Sequence, residues 1–157
     1  MMKPSDLMDL AIAKAREGIA AGQSPFGCAI ARGDDVLAVS HNVVWATTDI
    51  TAHAEVTALR EACRAAQRIL LEGAVVATTC EPCPMCMAAL LWARVATVYY
   101  GATIEDAAAA GFHEVHLPAA EMTARSGHRL ELVPGVRRSE CAALFGEWLN
   151  HPDHRAY

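Results

Sequence analysis

One histidine and two cysteines in this sequence have the types and the spacing of metal ligands. His53 stands two residues before Glu55 in TAHAEV, and Cys83 and Cys86 stand three residues apart in CEPCPMC. A neutral imidazole and two thiolates are ligands that zinc prefers, and three protein ligands leave the fourth tetrahedral position for water. The pattern therefore predicts a catalytic zinc site, with one zinc ion per chain.

Glu55 is the candidate proton carrier beside these ligands. Two thiolates neutralise the charge of Zn²⁺, so water bound there is less acidic than water on a zinc held by three histidines. Such a site needs a base next to the metal. Glu55 is positioned to accept the proton of that water and to pass it on, which predicts a hydrolytic enzyme.

Cys80 leaves an alternative open. As a fourth ligand it would complete the coordination of the metal and make the zinc structural. Cys80 stands at the end of a predicted strand, and Glu81-Pro82 forces an extended turn that need not direct its thiol at the metal. We therefore expect Cys83 and Cys86 to be the ligands. A non-catalytic, zinc-stabilised binding domain is the alternative of another functional class.

Helical and strand patterns alternate around these residues. Apolar periodicity predicts strands at 27–32, 36–41, 74–79, 95–101 and 129–133, and helices at 6–20, 53–67, from CEPCPMC to about 93, 105–110 and 138–150. Ser5 can cap the first helix. In the helix over 53–67 the inward face is expected to consist of Val56, Leu59, Cys63 and Ala66. We assign no element to 111–118. The pattern predicts an α/β fold, a three-layer α/β/α sandwich with a central mixed sheet of about five strands.

Composition limits the class of protein. The chain has 157 residues, 54% of them hydrophobic, and its 13 Lys+Arg against 18 Asp+Glu give a net charge of −5. These values suit a single domain over residues 1–157 and disfavour binding to nucleic acid through phosphates. No apolar run approaches the ~20 residues that span a bilayer. Six cysteines without a secretion signal indicate a reducing compartment, so we expect a cytoplasmic protein.

The two ligand segments carry a resemblance to a known superfamily. TAHAEV at 51–56 and CEPCPMC at 80–86 resemble the H-x-E…P-C-x-x-C motif of the zinc-dependent, cytidine-deaminase-like superfamily. Within it the chain is most similar to bacterial guanine deaminases, through SPFGCAI (24–30), TAHAEVTALREAC (51–63), CEPCPMCMAALLWARV (80–95) and DAAAAGF (106–112). The resemblance implies deamination of a free base, guanine, to xanthine and ammonia. Zinc-bound hydroxide would attack the amidine carbon while Glu55 shuttles protons.

Further site residues follow from the resemblance alone. It implies that Asn42 hydrogen-bonds the purine, and that Phe26 and Trp92 form walls of the pocket or stack on the ring. Glu114 would act near the ring nitrogens as a second catalytic carboxylate. Without the resemblance, the helical spacing of Trp92 predicts a core residue.

The resemblance also implies a homodimer. In family members the C-terminal segment often lies over the site of a neighbouring subunit. Here that segment covers about 138–157, and Tyr157 would then belong to the pocket of a partner.

Other substrates of the same superfamily remain as alternatives. A tRNA adenosine deaminase needs a basic surface, and this chain has only two lysines. A cytosine or nucleoside deaminase needs no such surface. A nucleoside would, however, require room for its ribose, which a tail closing over the site denies.

Overall fold

Five apolar segments form the strands of one sheet in the computed structural model, which describes residues 1–157. The strands are β1 (Gly27–Arg32), β2 (Asp35–His41), β3 (Val75–Cys80), β4 (Thr97–Ala102) and β5 (Glu131–Val133). The helices are α1 (Pro4–Ala20), α2 (Val44–Thr47), α3 (Ala54–Ala66), α4 (Pro84–Ala93), α5 (Ile104–Ala109), α6 (Ala119–Ser126) and α7 (Arg138–Leu149). None of these helices has both the length and the apolar character needed to cross a membrane.

The sheet is mixed and has the order β2-β1-β3-β4-β5. β1 is antiparallel to both β2 and β3, whereas β3, β4 and β5 run parallel. The β1–β2 hairpin turns at Gly33, whose φ of 64° lies in the left-handed region that favours glycine. The parallel strands β3 and β4 end at the same edge of the sheet, and α4 begins just after β3 there. The predicted mixed sheet of about five strands is confirmed.

Helices cover both faces of the sheet, as a three-layer sandwich requires. α1 and α7 share one apolar core with one face, and α3 and α4 share a second core with the other. The apolar stripe of α7 predicts that Cys141, Leu144, Phe145, Trp148 and Leu149 face inward, and the first four are buried whereas Leu149 is 45% exposed. The predicted α/β/α layering is therefore confirmed.

Small residues hold α3 against the sheet. Ala54, Ala58 and Ala62 are completely buried, and Leu59 is 7% exposed. The expected inward face is correct only at Leu59, because Val56, Cys63 and Ala66 are half-buried. The methyl groups allow the backbone of α3 to lie close to β1 and β2. The larger Val56 and Cys63 instead line a groove between α3 and α4.

The start of α1 differs from the prediction. The helix begins at Pro4 after Lys3, and proline suits the first helical position because its missing N–H has no partner there anyway. Ser5 therefore lies inside the helix, where its hydroxyl donates to the Asp6 carboxylate at 3.1 Å. The expectation that Ser5 caps α1 is wrong.

Two helices lie where the sequence analysis assigns none. α2 is a single turn within 42–52, and α6 follows the irregular segment 111–118. Glu81 supplies the N-terminus of α6 with an acceptor, because its Oε1 accepts from the Ala119 N–H at 3.1 Å. Its Oε2 accepts from the Ile104 N–H, also at 3.1 Å, at the start of α5. One carboxylate therefore satisfies the first backbone amides of two helices.

Candidate active site

Three potential metal ligands meet where α3 and α4 begin. His53 and Cys83 are the N-cap residues of these helices, and Cys86 lies in the first turn of α4. The His53 Nδ1 atom is 3.6 Å from the Cys83 Sγ atom and 3.5 Å from the Cys86 Sγ atom. All three ligand atoms lie within 4.8 Å of one another. The fold therefore brings together the three residues that the spacing predicted.

The distances between these atoms fit zinc. In a tetrahedral site, a zinc–nitrogen bond of about 2.05 Å and a zinc–sulfur bond of about 2.3 Å place the two ligand atoms about 3.6 Å apart. The two nitrogen–sulfur distances, 3.6 and 3.5 Å, agree with this value. Cys80 stays outside the cluster, since its thiol donates to the Thr103 carbonyl at 3.3 Å. The arrangement is that of a site with three protein ligands.

The ligand cluster is prepared to hold a cation. The pKa of Cys83 is lowered to about 4, chiefly by a hydrogen bond from Cys86 and also by His53, which together outweigh the effect of burial. The same hydrogen bond, together with burial, raises the pKa of Cys86 well above its ordinary value. Burial lowers the pKa of His53, but the Cys83 thiolate and Glu55 raise it more, so that the net direction is upward. Negative charge therefore collects where the ligand atoms converge.

Glu55 lies beside this cluster in the first turn of α3. Its side chain is only 6% exposed, and its Oε1 atom accepts a hydrogen bond from the Thr78 hydroxyl at 2.7 Å. Burial raises the pKa of Glu55, and the nearby Cys83 thiolate raises it further. A carboxyl group with a raised pKa takes up a proton more readily than an ordinary glutamate, which suits a proton carrier.

A cavity of about 240 Å³ opens in front of the ligand cluster. The sequence-predicted residues that line it are His53, Cys83, Glu55, Phe26, Asn42, Glu114 and Tyr157. Phe26 packs edge-on against Phe112, with ring centroids 5.0 Å apart, and both rings line the cavity. The structure thus joins candidates from distant parts of the chain in one cavity.

The Asn42 amide has a fixed orientation in this cavity. Asn42 is completely buried, and its Oδ1 atom accepts from the Val44 N–H at 3.1 Å. A backbone N–H can only donate, so the amide oxygen must face Val44. The Nδ2 atom donates to the Tyr157 hydroxyl at 2.7 Å. Asn42 therefore presents a hydrogen-bond donor to the cavity.

Glu114 brings a second carboxyl group to the cavity. It stands in the irregular segment 111–118 and is half-buried. Burial raises the pKa of Glu114, and the negative charge of Cys83 adds to the effect. The cavity therefore contains two carboxyl groups whose pKa values are both raised.

Tyr157 lies in the cavity of its own chain. Its ring centroid is 5.6 Å from that of His53, and its carbonyl oxygen accepts from the His113 N–H at 2.9 Å. The neighbouring Arg155 lies over the Trp45 ring, 3.9 Å from its centroid. The exchange of this tail between subunits stays a prediction.

Comparison of the sequence with models of protein families agrees with the geometry of this site. The model of the cytidine and deoxycytidylate deaminase zinc-binding region matches residues 1–102. The chain belongs to this family. The deaminase has a relative in the guanine deaminase of Bacillus subtilis, which is 41% identical over 99% of this chain and 100% of the relative.

Two further comparisons extend the similarity. The tRNA-specific adenosine deaminase of Bacillus subtilis is 33% identical over 87% of this chain and 83% of its own. The solved structure of guanine deaminase from Nitrosomonas europaea is 27% identical and has a TM-score of 0.86, covering 94% of this chain and 85% of that chain. The predicted class, a hydrolytic deaminase with a zinc-binding domain, is confirmed.

Trp92 is the one predicted site residue of the deaminase that lies elsewhere. It is 82% exposed and lines the groove between α3 and α4 rather than the cavity. The expectation that it forms a wall of the pocket in its own chain is wrong, and so is the alternative that it packs in the core. Trp92 stands nine residues after Cys83, which places it about 13 Å further along α4 and away from the ligands.

Sequence reasoning missed several residues of the deaminase cavity. Phe112 and His113 line it, although the segment 111–118 shows no periodicity that would assign them to an element. Thr78 does not line the cavity and contacts it only through Glu55; sequence reasoning misses it because a threonine in an apolar strand is typical of any sheet. The sequence signals for this part of the wall are the resemblance at DAAAAGF (106–112), which ends at Phe112, and the position of Glu114 just after it.

Proposed function

We propose that this deaminase hydrolyses guanine to xanthine and ammonia, with one zinc ion per chain. The observation that carries the proposal is that an amide donor, Asn42, and a carboxyl group, Glu114, line the same cavity beside the three potential ligands. Guanine offers O6 and N7 as acceptors and N–H groups as donors, which suits both side chains. The 41% identity to a guanine deaminase over nearly the whole chain supports the same substrate.

The size of the cavity supports a free base. Its volume of about 240 Å³ lies below the range of about 300–1,000 Å³ that holds drug-sized ligands. The rings of Phe26 and Tyr157 line this space and can pack against the faces of a flat heterocycle. A ribose would need further room, so guanosine should be a poor substrate.

The proposed reaction requires a proton carrier at the ring. When bound at His53, Cys83 and Cys86, zinc supplies Lewis acidity that makes water nucleophilic near neutral pH. Glu55 accepts a proton from the attacking water and donates it to N3 as the new C2–O bond forms. Glu55 then takes the remaining proton from the hydroxyl oxygen on C2 and delivers it to the exocyclic nitrogen as the C2–N bond breaks. The C2 carbonyl of xanthine forms, ammonia leaves, and Glu55 returns to its starting state.

Glu114 and Asn42 hold the base in the orientation that this reaction needs. Glu114 accepts a hydrogen bond from N1–H, or relays a second proton, while Asn42 donates to an acceptor atom of the ring or of its carbonyl group. Cytosine has no ring N–H donor next to the carbon that bears its amino group, which would leave Glu114 unpaired in a half-buried position. The pair therefore favours guanine over cytosine.

We also propose that the deaminase is a homodimer. Trp92 and Ile69 are both 82% exposed and lie in the apolar groove between α3 and α4. An exposed apolar surface of this kind is typical of an interface between proteins. A second copy of the chain is the proposed partner. The six free thiols suit a reducing compartment, which supports the cytoplasm as the proposed location.

Ammonia release tests the proposed substrate. The zinc-loaded protein is assayed with guanine, guanosine, cytosine, adenosine and tRNA, with Glu55→Gln as the control that keeps the ligands. We expect ammonia from guanine alone, and release by the variant that is slower by about 10²- to 10⁴-fold. Ammonia from another substrate only, for instance tRNA, would replace guanine by that substrate. Zinc binding without any deamination would favour the non-catalytic domain.

A further inference from the structure

A buried threonine on β3 holds the carboxyl group of Glu55. Thr78 is completely buried, and its hydroxyl donates to the Glu55 Oε1 atom at 2.7 Å. This bond joins two residues that are 23 positions apart, across the boundary between α3 and the sheet. It is the one side-chain hydrogen bond that Thr78 makes.

The bond determines which oxygen of Glu55 is free to react. The last torsion of a glutamate side chain has a broad preference, so the plane of an unrestrained carboxyl group turns easily. Thr78 fixes this plane by engaging Oε1. No other hydroxyl group and no amide or guanidinium side chain bonds to Oε2, and the carboxyl group borders the cavity close to the Cys86 thiol. Because a proton on Oε1 would compete with the Thr78 hydroxyl, a proton taken up by Glu55 goes to Oε2.

We propose that Thr78 is a positioning residue for the proton transfers of this deaminase, an inference that rests on the proposed function. Glu55 receives the proton of water on Oε2 and releases it from Oε2 to the substrate. Thr78 keeps its own proton throughout and touches neither the substrate nor the metal ligands. Its contribution is to the rate of proton transfer and not to the binding of the base.

The chain offers variants that separate this role from simple packing. Thr78→Val keeps the shape of the side chain and removes the hydroxyl, whereas Thr78→Ser keeps the hydroxyl. Thr97→Val is the matched control, because Thr97 is a nearly buried threonine on the neighbouring strand β4. Its hydroxyl bonds to Glu131 at 3.4 Å, outside the cavity.

The experiment measures kcat and KM of each zinc-loaded variant with the base that the wild-type chain deaminates fastest. Zinc content and the dissociation constant of the product are measured alongside. For Thr78→Val we expect a kcat lower by roughly ten- to hundredfold, as for the loss of a hydrogen bond to a charged group. KM, product binding and zinc content should stay within about twofold, since the ligands and the cavity wall are intact. Thr78→Ser should recover most of kcat, and Thr97→Val should equal the wild type.

The double variant Glu55→Gln/Thr78→Val gives the decisive comparison. If Thr78 acts through Glu55, its replacement lowers kcat no further once Glu55 is glutamine. A Thr78→Val variant with the kcat of the wild type would overturn the inference. So would a loss of zinc or of product binding in parallel with kcat, or a loss that Thr78→Ser does not recover. A wild-type chain that deaminates none of the bases overturns the proposed function, and this inference with it.

Discussion

Replacing Glu81 with alanine should destabilise the fold although Glu81 is not a ligand. Its two carboxylate oxygens accept from the first backbone amides of α5 and α6, each at 3.1 Å. Loss of one helix cap costs about 0.5–2 kcal/mol, and a hydrogen bond to a charged group contributes about 1.5–3 kcal/mol. Two caps on one carboxylate therefore give an expected loss of about 2–4 kcal/mol. In a domain of this size that corresponds to a midpoint of thermal unfolding lower by roughly 4–16 °C.

Urea unfolding followed by far-UV circular dichroism measures this loss, with and without zinc. Glu81→Gln should lose about half as much, because an amide offers one acceptor oxygen to two N–H groups. Glu105→Ala is the control, since it removes an exposed carboxylate in the first turn of α5 and should change stability by less than about 0.5 kcal/mol. If Glu81→Ala were as stable as Glu105→Ala, the double cap would contribute nothing and the reasoning would be refuted.

Three further predictions concern the ligands, the tail and the surface. In the metal-free protein the pKa of Cys83, lowered to about 4, keeps its thiolate down to about pH 4. The rate of Cys83 alkylation should therefore fall only below about pH 5, and bound zinc should protect the thiolate from alkylation. An alkylation rate that already falls as the pH drops through 8 would contradict this prediction. A full-length Glu55→Gln chain can lend its tail to the site of a chain that lacks residues 150–157 but keeps Glu55. If tails are exchanged between subunits, a mixture of the two chains should therefore regain deamination. An inactive mixture would assign each tail to its own chain. Trp92→Ser should yield monomers in sedimentation analysis, with urea unfolding little changed; persistent dimers would place the interface elsewhere.

The ligand set could be predicted because its signal is local. His53 and Cys83 each begin a helix, and Cys86 follows one turn later, so short segments contain all the information about ligand type and spacing. The alternation of helices and strands predicted the layers for the same reason. Only the meeting of the His53 segment with the segment of Cys83 and Cys86 depends on the topology of the sheet.

Other elements depend on residues far away in the sequence. α6 has a single fully buried residue, Ala119, and the acceptor at its N-terminus comes from Glu81, 38 positions earlier. No pattern within 119–126 contains that contact. The Thr78–Glu55 bond likewise follows from how α3 packs on β3, which periodicity does not show. The spacing of apolar residues predicts that Trp92 lies in a helix, but it does not predict that the side chain points to the surface.

The alanine face of α3 has a consequence for how this enzyme tolerates mutation. Ala54, Ala58 and Ala62 determine how far the helix stands from the sheet, and hence where His53 meets the two sulfur atoms. Metal sites require bond lengths correct to about 0.2 Å, and two extra methyl groups at Ala58 would shift the helix by more than that. These chemically inert positions should therefore accept fewer replacements than the residues of the cavity wall. A mutant library that seeks new substrates should keep the three alanines and vary the wall.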